Sequence, residues 1–578
     1  MKKLLIGNEA VSRGLYEGGI ELVSSYPGTP STEITEFLAK YDDIHSEWAP
    51  NEKVALEVVF GASLSGVRAA CAMKHVGLNV AADPLFTLSY TGVTGGIVVC
   101  VADDPAAHSS QNEQDSRHYA IGAKLPMLEP SDSAEAYEFA KSAFELSEKF
   151  DTPVLLRMCT RVAHSQSIVD VGERQASERI PYEKNAAKYV MMPANAKKRH
   201  VAVEERMKAL KEFAENCPYN KAEYADSDIG VITSGTSYEY VKEVFGDTIS
   251  ILKIGMPNPL PDKLIIDFAA KVKKLYVIEE LDPIIENHCR TLGLKPIGKE
   301  KFSLLGEFSQ ETVAKAFNFP QKPIVKTDAE VPARPPMMCS GCPHRGIYYT
   351  LAKNKITVIG DIGCYTLGAV PPLNAVDSVL CMGASVSGIH GFLHGSPDAQ
   401  KNKTVAVIGD STFIHSGVTG LINIAYNGSA STVIILDNSI TGMTGHQQNP
   451  TTGFNIKGDP AGKVDLESLC RAVGINSVRV VDPYNLKQCD EVIKEELAKD
   501  EPSVIISRRP CVLLKHVKTA PPLKVNADKC RSCKRCMGLG CPSISMKNGK
   551  ATIDETLCVG CGVCGELCAF GAIEERNV

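Results

Sequence analysis

The C-terminal end of the chain carries cysteines of the type and spacing that bind iron. Eight of the 20 cysteines fall in the last 49 residues. Three thiolates of one tight loop bind three irons of a [4Fe–4S] cluster, and in two-cluster proteins the fourth ligand comes from the other loop. The two runs are Cys530-x2-Cys533-x2-Cys536-x4-Cys541 and Cys558-x2-Cys561-x2-Cys564-x3-Cys568. The spacing predicts two clusters, one bound by Cys530, Cys533, Cys536 and Cys568, the other by Cys558, Cys561, Cys564 and Cys541.

This tail resembles bacterial two-cluster ferredoxins over its whole length. In a reducing compartment, clustered cysteines are more often metal ligands than disulfides. Zinc is the alternative metal, but zinc sites rarely repeat three cysteines at two-residue spacing twice over. We therefore favour iron–sulfur clusters over zinc.

Basic residues surround the first run, although the chain has a formal net charge of −6. A basic rim beside a cluster would steer an acidic electron carrier towards it. Ordinary solvated loop charges explain the pattern equally well, so both interpretations stay open. The residues are Lys529, Arg531, Lys534 and Arg535.

Two strand-like runs further upstream end in oxygen ligands suited to Mg²⁺. Gly409 and Asp410 follow the first run, and Asn438 and Ile440 follow the second. Mg²⁺ takes oxygen ligands in octahedral geometry and usually bridges phosphates. Asp410 would provide a carboxylate, Asn438 an amide oxygen and Ile440 a backbone carbonyl. Gly409 would let the chain approach a diphosphate, and a helix starting near Ser411 would point its N-terminus at the negative charge.

These strand ends resemble the thiamine diphosphate signature, in which Gly-Asp-Gly and Asn-Asn end two neighbouring strands. Asn438 stands 28 residues after Asp410. Two positions depart from the signature, since Ser411 replaces the second Gly and Asp437 replaces the first Asn. Ordinary strand-to-turn Asp and Asn residues are the alternative explanation.

The segment after Ile440 is predicted to cover the cofactor. Gly442 and Met443 are expected to lie beside it. His446 would orient substrate or a proton there, and a purely structural role for this histidine is an equal alternative.

Glu52 is the candidate for the carboxylate that thiamine diphosphate requires. A hydrogen bond to the pyrimidine ring favours the imino tautomer that removes the thiazolium C2 proton. Glu52 opens a predicted helix that contains small residues. A glutamate in a first helical turn is otherwise usually a favourable charge at the helix dipole, and that interpretation would hold without the other motifs.

Alternating strand and helix patterns position these residues and predict doubly wound α/β domains. The pattern covers residues 1–195, 225–320 and 337–518. A small Cys-rich α+β domain fills residues 521–578. We expect a Lys-rich helical linker between the first two domains and a proline-rich connector between the second and third.

The bulk composition excludes several classes of protein. Hydrophobic residues make up 44% and charged residues 22%, as in ordinary globular proteins. The negative net charge argues against a general nucleic-acid or membrane-surface binder. We find no apolar run long enough for a membrane span and no signal peptide, and therefore expect a cytoplasmic location.

The first domain resembles the pyrimidine-binding domain of pyruvate:ferredoxin oxidoreductases, which belong to the 2-oxoacid:ferredoxin oxidoreductase family. Tyr26-Pro27-Gly28-Thr29 matches the family's loop on the substrate and cofactor side, and Glu52 stands where the family has its activating glutamate. The second domain looks like the transketolase C-terminal type. The domain order, with a two-cluster tail after the diphosphate domain, most resembles the α subunits of indolepyruvate:ferredoxin oxidoreductases.

The resemblance implies an activity. The chain would bind thiamine diphosphate and Mg²⁺ and decarboxylate an arylpyruvate oxidatively, indolepyruvate foremost. Coenzyme A would take the acyl group, and the clusters would pass electrons to ferredoxin. Arg117 would face the substrate carboxylate. Because the family needs a domain absent here, a smaller β subunit and an (αβ)2 heterotetramer are implied.

The resemblance also implies a third cluster near the thiamine cofactor. Its ligands would be Cys339, Cys342, Cys364 and Cys511, which match the related cysteines in order and rough spacing. Buried reduced cysteines are the alternative. The remaining eight cysteines are interpreted as packing residues.

Two other functions fit parts of the sequence. One is a non-oxidative thiamine-dependent 2-oxoacid decarboxylase with a structural or regulatory tail. The other is a non-catalytic electron-transfer subunit, which would be expected to lack the set of Glu52, Asp410 and Asn438. All three residues are present.

Overall fold

The computed structural model describes residues 1–175, 178–319, 328–332, 335–396 and 398–575. The chain forms two compact units, residues 1–327 and 328–578. Most of the predicted proline-rich connector lies outside the described residues.

The N-terminal part of unit 1 alternates strands and helices, as predicted. Its elements are β1 Lys2–Ile6, α1 Gly7–Glu17, β2 Leu22–Ser25, α2 Thr32–Leu38, β3 His45–Trp48, α3 Glu52–Leu64, β4 Ala69–Lys74, α4 His75–Val80, α5 Ala82–Thr91, β5 Ile97–Asp103, α6 Arg117–Ala123, β6 Met127–Leu128, α7 Ser133–Lys149, β7 Val154–Cys159, α8 Thr160–His164 and β8 Gln166–Asp170. Strands β2 to β7 form a parallel sheet in the order β3-β2-β4-β5-β7-β6. β1 and β8 form a separate antiparallel pair.

The sequence of β5 explains why helices cover both faces of this sheet. Val98 and Cys100 point into one hydrophobic core, and Val99 and Val101 point into the other. A strand that is apolar at every position must be buried on both sides, which is typical of a parallel sheet in an α/β domain.

The rest of unit 1 consists of a helical linker and a smaller sheet. Its elements are α9 Ala186–Tyr189, α10 Pro193–Asn216, β9 Lys221–Glu223, β10 Ile229–Ser234, α11 Thr236–Phe245, β11 Ser250–Ile254, α12 Asp262–Ala269, β12 Lys274–Ile278, α13 Ile284–Thr291 and α14 Gln310–Ala316. The strand order is β12-β10-β11-β9. Only the edge strand β9 is antiparallel.

Unit 2 begins with a second six-stranded parallel sheet. Its elements are α15 His344–Lys353, β13 Thr357–Gly360, β14 Ser378–Val379, α16 Ala384–Gly395, α17 Asp398–Lys401, β15 Thr404–Gly409, α18 Asp410–Thr412, α19 Val418–Asn427, β16 Thr432–Asp437, α20 Leu466–Ala472, β17 Ser477–Val481, α21 Leu486–Leu497 and β18 Ser503–Arg508. The strand order is β14-β13-β15-β16-β18-β17. A π-helical turn, Phe413–Gly417, joins α18 to α19 without a break.

The tail of unit 2 forms a small separate core. Its elements are β19 Lys524–Val525, β20 Ile544–Lys547, β21 Lys550–Ile553, α22 Val563–Glu566 and β22 Ile573–Glu574. β19 pairs with β22 and β20 with β21, both antiparallel. Three cysteines of the two runs, Cys530, Cys536 and Cys564, are buried in this core, and Cys541, Cys558, Cys561 and Cys568 pack against it partly buried, whereas Cys533 is exposed.

The predicted packing role of the eight remaining cysteines is confirmed for seven. Cys381 is exposed, so that prediction was wrong at this position. The buried seven are Cys71, Cys100, Cys159, Cys217, Cys289, Cys470 and Cys489.

Within the described part of the chain, no helix is both long enough and apolar enough to cross a membrane.

Candidate functional site

In unit 1, the predicted site residues lie at the carboxyl edge of the first sheet. The loop Tyr26–Thr29 after β2, the junction of β4 and α4 at Lys74–Gly77, and the segment 104–116 after β5 all lie at this edge, because these neighbouring parallel strands end on the same side. Helix α3 begins at Glu52, shortly after β3 ends. Crevices outside the carboxyl ends of parallel strands are where open α/β sheets bind ligands.

Glu52 is a buried carboxylate held in a defined position. It is the first residue of α3 and is only 5% exposed. Asn51 caps the helix, its side chain accepting a hydrogen bond from Val54 N at 2.9 Å. The carboxyl group lies against Gly77, where the Cβ of any other residue would come within 2.5 Å of Glu52 Oε1. The cap by Asn51 and the contact with Gly77 therefore hold the Glu52 carboxyl group in place. A carboxylate that must meet one atom of a cofactor ring needs such support.

The predicted loop Tyr26–Thr29 packs against the end of β4. Tyr26 and Pro27 are buried, and Gly28 and Thr29 are partly exposed. A Cβ at Gly28 would stand 3.2 Å from Lys74 Cβ. Lys74, which the sequence pattern did not indicate, is therefore part of the same site.

The side chain of Arg117 is buried and held by partners within the chain. Its side chain is 1% exposed, and its Nε and Nη2 donate to the Asp115 carboxylate at 2.9 and 2.7 Å. Nη1 donates to Glu279 Oε2 at 2.5 Å. Nη2 also donates to the backbone carbonyl oxygens of Glu280 and Asp282.

The contact between Arg117 and a substrate carboxylate stays a prediction, and the guanidinium already has partners within the chain. The guanidinium is satisfied by two carboxylates and two carbonyls, and a buried charge that is paired in this way is costly to release. Arg117 instead joins the first sheet domain to the segment after β12, because Glu279 follows that strand.

In unit 2, the three predicted metal ligands converge. Asn438 Oδ1 faces Ile440 O at 2.8 Å and Asp410 Oδ1 at 3.1 Å. These oxygens are all hydrogen-bond acceptors, so no hydrogen bond can join them. Either the Asn438 amide is turned round and its nitrogen donates to Ile440 O and Asp410 Oδ1, or a cation lies among the three oxygens. Neighbouring oxygens around an octahedral Mg²⁺ at 2.0–2.1 Å stand about 2.9 Å apart. With the amide oxygen on this side, its distances to Ile440 O and Asp410 Oδ1 are close to that spacing, and with the amide turned round the same two contacts are hydrogen bonds.

The surroundings of Asp410 tune its charge. Burial, with the neighbouring Asp437 carboxylate adding to it, raises the pKa of Asp410 to about 7. Thr451 Oγ1 donates to Asp410 Oδ2 at 3.1 Å. A bound cation would stabilise the charged form by direct attraction. Asp437, which replaces an Asn of the signature, turns away and accepts from Arg508 Nε at 2.9 Å.

The remaining signature residues have local structural roles. Ser411 Oγ accepts a hydrogen bond from Thr441 Oγ1 at 2.9 Å, which ties the start of α18 to the segment after β16. A Cβ at Gly409 would stand 2.5 Å from the ring of Tyr365. The glycine at this position is therefore required by Tyr365, a reason the sequence did not reveal.

The segment with Gly442, Met443 and His446 lies beside predicted cluster cysteines. A Cβ at Gly442 would stand 3.5 Å from Cys364 Sγ. His446 is exposed, and its Nε2 is 3.9 Å from Cys511 Sγ. Met443 is 52% exposed.

The four cysteines assigned to a third cluster are neighbours in space. Burial, strengthened by the thiols of Cys364 and Cys339, raises the pKa of Cys342 to about 12. Burial and the thiols of Cys511 and Cys339 raise the pKa of Cys364 to about 11. Cys511 N donates to Asn438 O at 2.9 Å, so this group lies directly beside the candidate cation site.

The eight tail cysteines divide between two cavities in the way the crossing rule predicts. One cavity is lined by Cys541, Cys558, Cys561 and Cys564. The other is lined by Cys530, Cys533, Cys536 and Cys568. Among the described residues, no three His, Cys, Asp or Glu side chains converge as ligands of one single metal ion. In a [4Fe–4S] cluster each cysteine binds a different iron, so the four sulfur atoms stand further apart than the ligands of one metal ion.

The two cysteine loops share one backbone path. Ser532 and Lys534 in the first loop and Gly560 and Gly562 in the second occupy equivalent positions, and all four have positive φ angles between 57° and 82°. Ser and Lys rarely adopt this conformation, so the first loop accepts backbone strain that glycine relieves in the second.

Arg345 links the third cysteine group to the tail. Its Nη1 donates to Leu539 O at 2.8 Å and to Gly540 O at 2.7 Å, just before Cys541. Its Nε donates to Cys339 O at 3.1 Å. Cys342 also lines the cavity of Cys541, so the two groups of cysteines are adjacent.

Comparison with known proteins identifies the family. A model described as pyruvate flavodoxin/ferredoxin oxidoreductase, thiamine diphosphate-binding, matches residues 13–226. A model described as thiamine pyrophosphate enzyme, C-terminal TPP-binding domain, matches residues 361–507. The indolepyruvate oxidoreductase subunit IorA of Archaeoglobus fulgidus is 40% identical over 99% of this chain and 97% of its own length. The chain belongs to the indolepyruvate oxidoreductase subunit IorA family.

Other known proteins are also similar to this chain. The IorA subunit of Methanothermobacter thermautotrophicus is 40% identical over 100% of this chain and 98% of its own length. The 2-oxoacid:ferredoxin oxidoreductase 1 subunit alpha of Sulfurisphaera tokodaii is 27% identical over 29% of this chain and 30% of its own length. A solved 2-oxoglutarate:ferredoxin oxidoreductase from Magnetococcus marinus, with 2-oxoglutarate, coenzyme A and succinyl-CoA bound, is 19% identical at a TM-score of 0.46, covering 55% of this chain and 65% of that one.

Family membership confirms the sequence-based predictions of an α/β fold with thiamine diphosphate-binding domains and of an oxidoreductase. The relatives are subunits, so the family consists of multi-subunit enzymes. The four-domain boundaries and the individual site residues stay predictions.

Proposed function

We propose that this chain is the catalytic α subunit of an indolepyruvate (arylpyruvate):ferredoxin oxidoreductase. One 2-oxoacid, one coenzyme A and two oxidised ferredoxins would give acyl-CoA, CO2, a proton and two reduced ferredoxins. The observation that carries the proposal is the convergence of Asp410, Asn438 and Ile440 on one point beside Cys511, in a chain of this family. It supports a cation site for a diphosphate next to a candidate redox centre.

Thiamine diphosphate, when bound, supplies the carbanion and electron-sink chemistry that a 2-oxoacid needs to lose CO2. Glu52 would accept a hydrogen bond at the aminopyrimidine, and its burial supports that role because water is kept from the carboxylate. The carboxylate, amide and carbonyl oxygens of unit 2 would hold Mg²⁺ against the diphosphate. Gly409, Ser411, Gly442 and Met443 stay predicted neighbours of the cofactor.

Three iron–sulfur clusters would carry the electrons. The two tail cavities support [4Fe–4S] clusters over single zinc ions, because each four-cysteine set surrounds a space rather than a point. The grouping of Cys339, Cys342, Cys364 and Cys511 supports a third cluster between the cofactor site and the tail. His446, 3.9 Å from Cys511 Sγ, is then a neighbour of this cluster rather than an assigned proton carrier.

Ferredoxin would dock on the basic residues around Cys530. Three of these residues line the cavity of Cys530 and make no ion pair among the described residues: Arg531, Lys534 and Arg535. The fourth, Lys529, pairs with Glu574. Unpaired exposed cations steer an acidic partner more strongly than paired ones. A smaller β subunit, an (αβ)2 heterotetramer, coenzyme A as co-substrate and a cytoplasmic location complete the proposal.

An anaerobic assay with the reconstituted smaller subunit tests the reaction. Indolepyruvate, phenylpyruvate and pyruvate are compared, each with and without coenzyme A and ferredoxin, and the products are analysed. Acyl-CoA and reduced ferredoxin are expected, with arylpyruvates preferred. An aldehyde formed without any electron acceptor would instead indicate a non-oxidative decarboxylase.

The variant Glu52→Gln separates catalysis from electron transfer. It is expected to abolish 2-oxoacid oxidation while the iron content stays that of the wild type. The control is Glu57→Gln on the same helix, an exposed residue that pairs with Lys53. Full activity of Glu52→Gln would refute the assignment.

A further inference from the structure

Lys74 is a buried cation without a carboxylate partner. It is the last residue of β4 and is 9% exposed. Its Nζ donates to Ser109 O at 2.6 Å. Among the described residues, no carboxylate oxygen lies within 4.0 Å of this nitrogen, and Asp104 acts on it only at longer range. Burial lowers the pKa of Lys74 to about 8.

Such an arrangement is costly for the fold unless an anion binds there. An ammonium group has three donors, and a single carbonyl acceptor leaves it poorly compensated after removal from water. Asp104 does not compensate it directly, since its carboxylate accepts from Ser109 N at 2.8 Å and from the hydroxyls of Ser110 and Thr160 at 2.6 and 2.7 Å. Two other buried cations at this edge, Arg117 and Arg157, pair with carboxylates of their own.

The surroundings of Lys74 are built from three strand ends. Gly28, in the loop after β2, lies against the Lys74 side chain, where a Cβ would stand 3.2 Å from Lys74 Cβ, a tighter contact than usual. Ser109, in the loop after β5, holds the ammonium through its carbonyl, and its hydroxyl is 3.5 Å from Thr29 O. These loops form a crevice of the kind in which α/β sheets bind ligands.

The same stretch of chain positions the candidate catalytic acid. Helix α4 begins at the residue after Lys74, and its Gly77 lies against the Glu52 carboxyl group. The loop after β5 holds two consecutive alanines, Ala106 and Ala107, in the left-handed region, with φ angles of 69° and 48°. Strained non-glycine residues of this kind cluster at ligand-binding sites.

We propose that Lys74 binds the carboxylate of the 2-oxoacid substrate, in the role that the resemblance assigned to Arg117. This inference rests on the proposed function, since it presupposes a 2-oxoacid as substrate. The Lys74 ammonium donates to the substrate carboxylate and keeps its hydrogen bond to Ser109 O. When CO2 leaves, the carboxylate that the lysine binds is lost from the substrate. Gly28 and Ser109 act as positioning residues for Lys74.

The test uses the reconstituted complex and the variants Lys74→Met and Lys74→Arg. Lys74→Met is expected to raise KM for indolepyruvate about 10- to 100-fold, because one charge-assisted hydrogen bond is lost. KM for coenzyme A, the affinity for thiamine diphosphate and the iron content are expected to stay unchanged. Lys74→Arg, which keeps the charge, is expected to recover part of the affinity for the 2-oxoacid.

The matched control is Lys253→Met, in the same unit. Lys253 is 3% exposed, but it pairs with Glu135 and Ser131 Oγ. It is therefore expected to affect stability and to leave KM for indolepyruvate unchanged. A wild-type complex that oxidises no 2-oxoacid would contradict the proposed function. An active wild type whose KM is unaffected by Lys74→Met would contradict the role of Lys74 alone.

A second measurement needs no variant and covers the case in which Lys74→Met does not fold. The wild-type complex is pulsed with acetic anhydride with and without indole-3-acetate, which has the aromatic ring and carboxylate but no keto group. Peptide mass spectrometry then gives the acetylation of each lysine. Protection of Lys74, with Lys253 unchanged, is expected. Equal labelling of Lys74 in both samples would overturn the proposal.

Discussion

The carboxyl group of Glu52 rests directly on the α-carbon of Gly77, so that any side chain at position 77 would collide with it. A Cβ at this position would stand 2.5 Å from Oε1 and 2.7 Å from Cγ of Glu52. Helix α3 and helix α4 thus meet at a buried acid, and the glycine fixes where that acid can point.

Replacing Gly77 with alanine is expected to displace the Glu52 carboxyl group and lower 2-oxoacid oxidation at least about 10-fold, since small misplacements of catalytic groups are costly. The iron content should not change. Anaerobic ferredoxin reduction with indolepyruvate measures the effect. Gly61→Ala in α3 is the matched control, because a Cβ there meets nothing within 4 Å. Equal activity of both variants would show that Gly77 does not position the acid.

Asp410→Asn is expected to weaken Mg²⁺-dependent binding of thiamine diphosphate about 10- to 100-fold, because it removes the only charged ligand of the three converging oxygens. Titration calorimetry at several Mg²⁺ concentrations measures the affinity. Asp500→Asn, an exposed position in the same unit, serves as control. Unchanged binding by Asp410→Asn would remove the cation site from this loop.

Single cysteine variants test which ligands share a cluster. The wild type is expected to hold about 12 irons per chain, as three [4Fe–4S] clusters require, and about 8 if the third group binds none. Cys541→Ser should disrupt the cluster of the Cys558 loop and leave that of the Cys530 loop, because the fourth ligand crosses between loops. Iron analysis with electron paramagnetic resonance of the reduced protein distinguishes the clusters. Loss of the Cys530-loop signal in this variant would contradict the crossing.

Charge reversal at Arg531 and Arg535 is expected to lower kcat/KM for ferredoxin about 10-fold at low salt and less at high salt, because steering by exposed charges is screened. Reduction of a small viologen dye should not change. Lys487→Glu, an exposed lysine elsewhere in unit 2, is the control. A loss that is independent of salt, or equal for the dye, would indicate damage to the cluster instead.

Glu280 gives a prediction on pH and stability. Burial raises the pKa of this carboxyl group from 4.5 to about 7, so the folded chain binds more protons than the unfolded chain between these values. The free energy of unfolding therefore falls as pH rises through this window, by up to about 3 kcal/mol. Glu280→Gln should raise the unfolding temperature at pH 8 and change it little at pH 5. Glu300→Gln, an exposed position, should do neither.

Local patterns in the sequence were sufficient for much of the fold. The continuous apolar run in β5 predicts a strand buried on both faces, and the alternation of strand and helix patterns extends to Ser133–Lys149, which forms α7. The cysteine spacing of the tail predicts which thiolates share a cavity, because the loops are short and stiff. By contrast, β1 and β8 pair across the chain and carry no local signal that the pattern indicated.

The charged residues of the site were harder to assign, because their partners are distant in sequence. Arg117 looked free to bind a substrate until folding brought Glu279 to its guanidinium, 162 residues away. Lys74 carried no motif, yet folding buries it without a carboxylate. A lysine at the carboxyl end of an apolar strand was the one signal that could have indicated it. Tertiary contacts decide whether a buried cation pairs with a carboxylate of the chain or can bind a ligand.

The hydrogen bonds of Arg345 determine how electrons would leave the protein. One buried guanidinium joins the backbone at Cys339 to the backbone before Cys541. These bonds hold the tail against the segment before α15 rather than leaving it as a tethered arm. Under the proposed function the tail would be a fixed relay, and the pace of electron delivery would depend on fixed tunnelling distances rather than on domain motion.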